Sequence, residues 1–302
     1  METYVIATRA SVLALWQAEH VQTELMGRSG LEVSLLKLTT TGDRILSKKL
    51  SAIGGKGLFV KELEAALLDG RADAAVHSLK DVPMELPDGF TLAAVTRREL
   101  PNDVFVSSRY ASFEDMPEGA VVGTSSLRRE MLIRHHYPKL NVKSVRGNVG
   151  TRLAKLDAGD YDALVMAYAG LSRLGLSDRI RKMLPLDQFL PSPGQGALGI
   201  ECLCVNERAL REAFKLEDNT ARICTAAERE VSRLLGGSCQ VPLGAYAQIE
   251  GGLLRLTALI GKASSGEFVQ TRMAGDPSDP LKLARLAVGD LMNQGARRYM
   301  PA

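Results

Sequence analysis

Tyr4-Val5-Ile6-Ala7-Thr8-Arg9-Ala10-Ser11-Val12-Leu13-Ala14-Leu15-Trp16 changes its period within a few residues. Residues 5–8 read as a buried strand, and after Ser11 the apolar positions recur at helical spacing through Leu13, Trp16, Ala18 and Val21. Ser11 offers a side-chain oxygen to the free N–H groups of that first turn, which is the chemistry of an N-cap. A strand running into a capped helix is the unit of an α/β fold, and the unit recurs downstream. Residues 33–38 read as a second strand and 58–68 as a helix with Leu63 and Leu67 one turn apart. Residues 73–77 form a short apolar strand ending in Ser78-Leu79-Lys80-Asp81. Apolar strands alternating with helices predict a mostly parallel sheet covered by helices.

After a pause at Pro101 the pattern restarts. Strands are expected at 104–107, 121–123, 142–145 and 163–167, with helices from near Ser125 and over 149–156. Pro185, Pro191 and Pro193, with Gly194 and Gly196, mark a break. Residues 198–202 are one more strand, returning to the first unit. The last third differs: a helix at 220–235, strands at 244–249, 253–260 and 267–274, and a helix at 280–292 describe a small α+β domain.

Composition narrows the function. The chain has 302 residues, and 38 Lys+Arg against 35 Asp+Glu give a net charge of only +3, too balanced to argue for nucleic acid. No apolar stretch approaches membrane-spanning length, and the N-terminus lacks the basic start and apolar run of a secretory signal, so a cytoplasmic protein is expected. Four cysteines are too few for a disulfide scaffold; without C-x-x-C or H-E-x-x-H, no metal site is predicted.

Several segments could carry chemistry. Gly194-Gln195-Gly196-Ala197-Leu198-Gly199 spells G-x-G-x-x-G, but prolines precede it and an apolar strand follows, so a hinge is the better reading than a dinucleotide loop. Gly54-Gly55-Lys56-Gly57 lacks phosphate-loop spacing and reads as a mobile surface loop within the basic stretch 42–57. Thr124-Ser125-Ser126-Leu127-Arg128-Arg129 joins a strand to a helix. The hydroxyls there are ordinary caps, yet with two guanidinium groups beside free N–H groups they also form an anion site. Val145-Arg146-Gly147-Asn148-Val149-Gly150-Thr151-Arg152 repeats the arrangement, and so does Arg9 with Ser11. Single arginines are usually solvated. Three such junctions at carboxyl ends of strands, where open α/β sheets bind ligands, imply a ligand with several carboxylates or phosphates.

Asp81 beside Lys80 could be a surface ion pair of little worth. At a strand end facing such a ligand, its carboxylate could also stabilise a developing cation and move a proton. His77 reads as a structural residue. Cys239, in Gly236-Gly237-Ser238-Cys239-Gln240-Val241-Pro242, is either an inert small residue or an exposed nucleophile in a Gly-rich turn.

Together these segments resemble the porphobilinogen deaminase (hydroxymethylbilane synthase) family over nearly the whole chain. The resemblance is carried by Ala7-Thr8-Arg9 with Ser11, residues 54–63, His77-Ser78-Leu79-Lys80-Asp81-Val82-Pro83, residues 123–129, 146–153 and 191–199, and Cys239-Gln240-Val241-Pro242-Leu243-Gly244. It implies two periplasmic-binding-protein-like α/β domains around a cleft plus a small α+β C-terminal domain with a three-stranded sheet. The domains would span 1–97 with 197–217, 98–196, and 218–302. It implies a dipyrromethane cofactor, one per chain, held by a thioether to Cys239, and Asp81 as the catalytic aspartate. Cofactor and substrate contacts would be Arg9, Ser11, Lys56, Phe59, Ser78, Lys80, Thr124, Ser126, Arg128, Arg129, Arg146, Gly147, Arg152, Arg173 and Gln195, with Lys56 and Phe59 on a lid. The expected substrate is porphobilinogen, and the expected protein a monomer without nucleic-acid or membrane partners. The main rival is a non-enzymatic anion-binding protein of the same architecture, which leaves Asp81 and Cys239 without a role. A nucleotide-dependent enzyme is a distant third.

Overall fold

The computed structural model describes residues 3–40, 60–237 and 241–301. The chain divides into two compact units, Met1–Glu99 with Gly196–Arg222, and Leu100–Gln195 with Ile223–Ala302.

The first unit begins with β1 (Tyr4–Arg9), α1 (Val12–Ser29), β2 (Val33–Leu38), α2 (Lys61–Leu68), β3 (Ala74–Ser78) and β4 (Phe90–Val95). Ser11 caps α1 by accepting from the Ala14 N–H at 3.4 Å, and Gly30 ends it in the left-handed region, where a side chain would be strained. The buried face of α1 is Ala14, Gln17, Ala18, Val21 and Leu25. It packs with Tyr4, Ile6 and Val76 of the strands, each large apolar side chain contributing about 1.5–3 kcal/mol by leaving water.

The second unit follows with β5 (Asp103–Val106), β6 (Val121–Gly123), α3 (Leu127–His136), β7 (Asn141–Lys143), α4 (Val149–Asp157), β8 (Ala163–Ala167), α5 (Tyr168–Arg173) and β9 (Ile180–Met183). The chain then returns to the first unit with β10 (Leu198–Leu203) and α6 (Glu207–Phe214). Helix α7 (Asn219–Leu234) begins there and continues into the second unit, where β11 (Leu243–Glu250), β12 (Leu253–Lys262), β13 (Glu267–Gly275) and α8 (Pro280–Asn293) complete the fold.

The two larger sheets repeat one plan. Their strand orders are β2-β1-β3-β10-β4 and β7-β6-β8-β5-β9. In each, four of the five strands run in one direction, and one, β10 or β5, lies antiparallel between its two neighbours. The expectation of a mostly parallel sheet holds for strand direction, and the single reversed strand in each sheet adds an antiparallel pairing on either side of it. An apolar strand reports burial on both faces and is silent about direction. β10 reaches its sheet after the long excursion through residues 100–195, with no crossover helix to set its direction. The third sheet, β11-β12-β13, is antiparallel. Leu254, Leu256, Ala258 and Ile260 alternate along β12 into a core shared with Val231, Leu283, Ala287 and Leu291. Two α/β lobes, each on a five-stranded sheet, and a small α+β part with a three-stranded sheet are thus the observed fold class. Among the described residues no helix is long and apolar enough to cross a membrane.

Candidate active site

Parallel neighbours β1 and β3 end on the same edge of their sheet, with Arg9 and Ser78 as their last residues. Ser11 lies two residues beyond Arg9, at the start of α1. Thr8 Oγ1 donates to the Ala14 carbonyl at 3.0 Å, and Gln17 Nε2 donates to Ser78 Oγ at 2.8 Å, so α1 is tied to both strand ends. After Ser78 the chain makes a single 3-10 turn, Leu79–Asp81. Leu79 is fully buried and its N–H donates to the Ala197 carbonyl at 3.0 Å; Val82 is buried on the far side of the turn. Two apolar anchors therefore bracket Lys80, which is half-buried, and Asp81, which is exposed. His77 points elsewhere: its Nε2 lies 2.9 Å from Oε2 of fully buried Glu201, in keeping with a structural role.

In the second unit the turn after β6 is organised by its own hydroxyls. The Ser126 N–H donates to Thr124 Oγ1 at 3.2 Å, and Ser126 Oγ accepts from the Arg129 N–H at 3.4 Å, capping α3. Arg128 and Arg129 are 2% and 6% exposed, and their side chains converge on Asp103, the fully buried first residue of β5. Arg128 Nη1 lies 2.8 Å from Asp103 Oδ2 and donates to the Leu190 carbonyl at 2.7 Å. Arg129 Nη2 donates to Asp103 Oδ1 at 2.7 Å, and its Nη1 to the Val165 carbonyl at 3.1 Å. Gln195, 1% exposed, donates from Nε2 to Asp103 Oδ1 at 2.9 Å and to the Pro101 carbonyl at 2.6 Å. Burial works to raise the Asp103 carboxyl pKa, but the charges and hydrogen bonds of the two arginines outweigh it and hold it well below the usual range. Burial pulls the Arg128 guanidinium below its ordinary value, with Asp103 opposing.

Asp103 is absent from the sequence-based set. Its signal was a lone acid heading the apolar run Val104-Phe105-Val106, a position where a charge requires a buried partner.

The second arginine turn is more open. Asn148 caps α4, accepting from the Thr151 N–H at 2.9 Å. Gly147 has φ +113°, and a Cβ there would stand 2.7 Å from Thr151 Cβ. Arg152 Nε donates to the Gly147 carbonyl at 2.8 Å, and Lys155 Nζ to the Arg146 carbonyl at 3.3 Å. Arg146, Arg152 and Arg173, the last residue of α5, are each half-buried, unlike the interior pair.

The G-x-G-x-x-G segment runs into β10 with no helix after it, so the dinucleotide fingerprint lacks its context. Lys56, Phe59 and Cys239 lie outside the described residues, as does the whole basic stretch 42–57. The approach to Cys239 is visible: the Gly237 N–H donates to the Ser232 carbonyl at 2.6 Å, and a Cβ on Gly237 would lie 2.7 Å from that oxygen. Only glycine fits so close to the end of α7. Within α7, fully buried Glu228 accepts from the Ala247 N–H of β11 and the Gly194 N–H, both at 2.8 Å. Among the described residues no cluster of His, Cys, Asp and Glu is placed to hold a metal.

The donor set fits a polycarboxylate such as a dipyrromethane. Two guanidinium groups against one carboxylate leave a surplus positive charge in the interior, and the buried Nε atoms of Arg128 and Arg129 have no hydrogen-bond partner among the described residues. Capped helix starts with arginines beside them, found in each of the two units, are the chemistry of a class of α/β protein suited to small polyanions.

Within that class the chain belongs to the porphobilinogen deaminase family. Residues 4–211 match "Porphobilinogen deaminase, dipyromethane cofactor binding domain", and residues 222–293 match "Porphobilinogen deaminase, C-terminal domain". The chain is 52% identical to a porphobilinogen deaminase of Thiobacillus denitrificans over 303 residues, covering 100% of this chain and 99% of that protein. It is 53% identical to one of Chromobacterium violaceum over 304 residues, covering 100% and 98%. Among solved structures, a periplasmic substrate-binding protein of an ABC transporter from Coxiella burnetii is similar at a TM-score of 0.47 and 14% identity, covering 75% of this chain and 96% of that one.

Proposed function

We propose that this protein is a hydroxymethylbilane-forming transferase of tetrapyrrole biosynthesis. It deaminates four porphobilinogen molecules in turn, joins them head to tail onto its dipyrromethane, and releases 1-hydroxymethylbilane by hydrolysis. When bound, the dipyrromethane supplies the nucleophilic pyrrole carbon on which the chain grows. Asp81 accepts a hydrogen bond from the substrate's pyrrole N–H, stabilises the positive charge that spreads onto that nitrogen as ammonia leaves, and assists proton transfer. Arg9, Arg128, Arg129, Arg146, Arg152 and Arg173 hold acetate and propionate groups, where a planar guanidinium pairs with a carboxylate through two bonds and lysine cannot. Ser11, Ser78, Lys80, Thr124, Ser126, Gly147 and Gln195 complete the cofactor and substrate contacts. Lys56 and Phe59 belong to a lid, and Cys239 carries the cofactor through a thioether.

The observation that supports this reading most is the setting of Asp81. An exposed carboxylate stands on a turn fixed by buried Leu79 and Val82, at the sheet edge that carries Arg9 and Ser78. A three-domain division at 1–97 with 197–217, 98–196 and 218–302 goes with the reading, as do a cytoplasmic location and a monomeric state without nucleic-acid or membrane partners. Incubation with porphobilinogen tests it. Ammonia release with a tetrapyrrole product is expected, and binding without ammonia would transfer the protein to the anion-binding class.

A further inference from the structure

We propose that Asp103 is a positioning residue for this chemistry: it sets the spacing, orientation and net charge of the Arg128–Arg129 pair so that the pair takes one carboxylate of a pyrrole. The inference rests on the function proposed above, and it concerns a residue outside the set of expected contacts.

Two guanidinium groups in a dry site repel one another and are costly to bury. Here each gives one nitrogen to a different oxygen of the same carboxylate, at 2.8 and 2.7 Å, which holds the two planes in a fixed relation. The second anchors are backbone carbonyls, Leu190 for Arg128 and Val165 for Arg129, so neither group can swing without giving up a buried bond. Gln195 fixes the carboxylate itself by donating to Oδ1 and to the Pro101 carbonyl. The pair is thus held by one acid, itself fixed by a neutral amide, and by backbone carbonyls. One positive charge remains, enough for one ligand carboxylate, and a second anion at the same place would meet Asp103. The capped start of α3 at Ser126 adds its N–H groups beside the pair.

The test uses the full-length, cofactor-loaded protein with two variants. Asp103→Asn keeps the side chain's size and removes the counter-charge; Asp103→Glu keeps the charge and moves it outward by one methylene. Inorganic phosphate binding, measured by titration calorimetry, reads the charge setting without turnover. Asp103→Asn should bind phosphate at least about ten-fold more tightly than wild type, while Asp103→Glu stays within about two-fold. With porphobilinogen, Asp103→Glu should raise KM about ten-fold and leave kcat within about two-fold, a split that general destabilisation does not produce. Equal phosphate affinity in Asp103→Asn and wild type would overturn the charge role, and a wild-type KM in Asp103→Glu would overturn the positioning role. Should Asp103→Asn fail to fold, the KM of Asp103→Glu decides. Wild-type protein that releases no ammonia from porphobilinogen sinks the functional reading instead, and the phosphate comparison still judges Asp103.

Discussion

Gln17 Nε2 donates to Ser78 Oγ at 2.8 Å and so ties the first helix to the strand end from which Asp81 projects. The bond spans 61 residues of sequence, and its donor is almost wholly buried. Gln17→Leu should lower stability by about 1 kcal/mol, the usual net worth of such a bond. Turnover should fall by more than that loss explains, because the turn carrying Lys80 and Asp81 loses its lateral support. Thermal unfolding and steady-state rates on one preparation check both; unchanged values of each would detach α1 from the turn.

Asp81 itself bears little structural load. Asp81→Asn keeps the shape of an exposed side chain, so unfolding should stay within about 0.5 kcal/mol of wild type. The rate of ammonia release should fall by at least about 100-fold, the scale of a lost acid–base group. Near-native turnover would remove Asp81 from the mechanism.

Asp103 gives stability a pH dependence of definite sign. Its carboxyl is held below the usual range in the folded protein, so its contribution is full above the unfolded value of about 3.9 and is lost as pH falls further, toward the folded value. Urea midpoints measured from pH 7 to pH 3 should hold steady down to about pH 4 in respect of this group and then fall. Asp103→Ala should cost about 3–5 kcal/mol at neutral pH, because it strands two buried cations, and should flatten the acid limb. An unaltered acid limb in that variant would place the titration on other groups.

Gly147 permits the turn between Arg146 and α4. Its φ of +113° lies where a side chain is strained, and a Cβ would press on Thr151. Gly147→Ala should destabilise by about 1–3 kcal/mol. It should also raise KM for porphobilinogen, since the Gly147 carbonyl anchors Arg152. Melting curves and KM values test this together, and a wild-type KM would confine the effect to stability.

Much of this arrangement was legible in the sequence. β2, β6 and β8 occupy the residues expected of them, because short apolar runs between turn residues admit few alternatives. Three of the four helices expected in the two lobes are seen with a capping side chain at their starts: Ser11, Ser126 and Asn148. β7 ends earlier than expected, at Lys143, since the Val145 carbonyl is taken by the Ser125 hydroxyl. β9 was missed because it is an edge strand whose Arg181 and Lys182 face solvent and leave no apolar alternation. α6 was missed as well; it is two turns long and ends on an exposed Phe214. The arginine clusters were readable as anion-binding chemistry, but their burial against Asp103 was not, because that contact joins residues 25 and 26 positions apart through the pairing of β5 with β8.

The central claim, that this chain builds a linear tetrapyrrole on its own covalently held dipyrromethane, is met most directly by intact-mass measurement of the denatured, purified protein. The account predicts an excess over the bare chain equal to two linked pyrrole units, mapping to the peptide that contains Cys239 and missing from Cys239→Ser. A bare chain that gains no mass after incubation with porphobilinogen would contradict it.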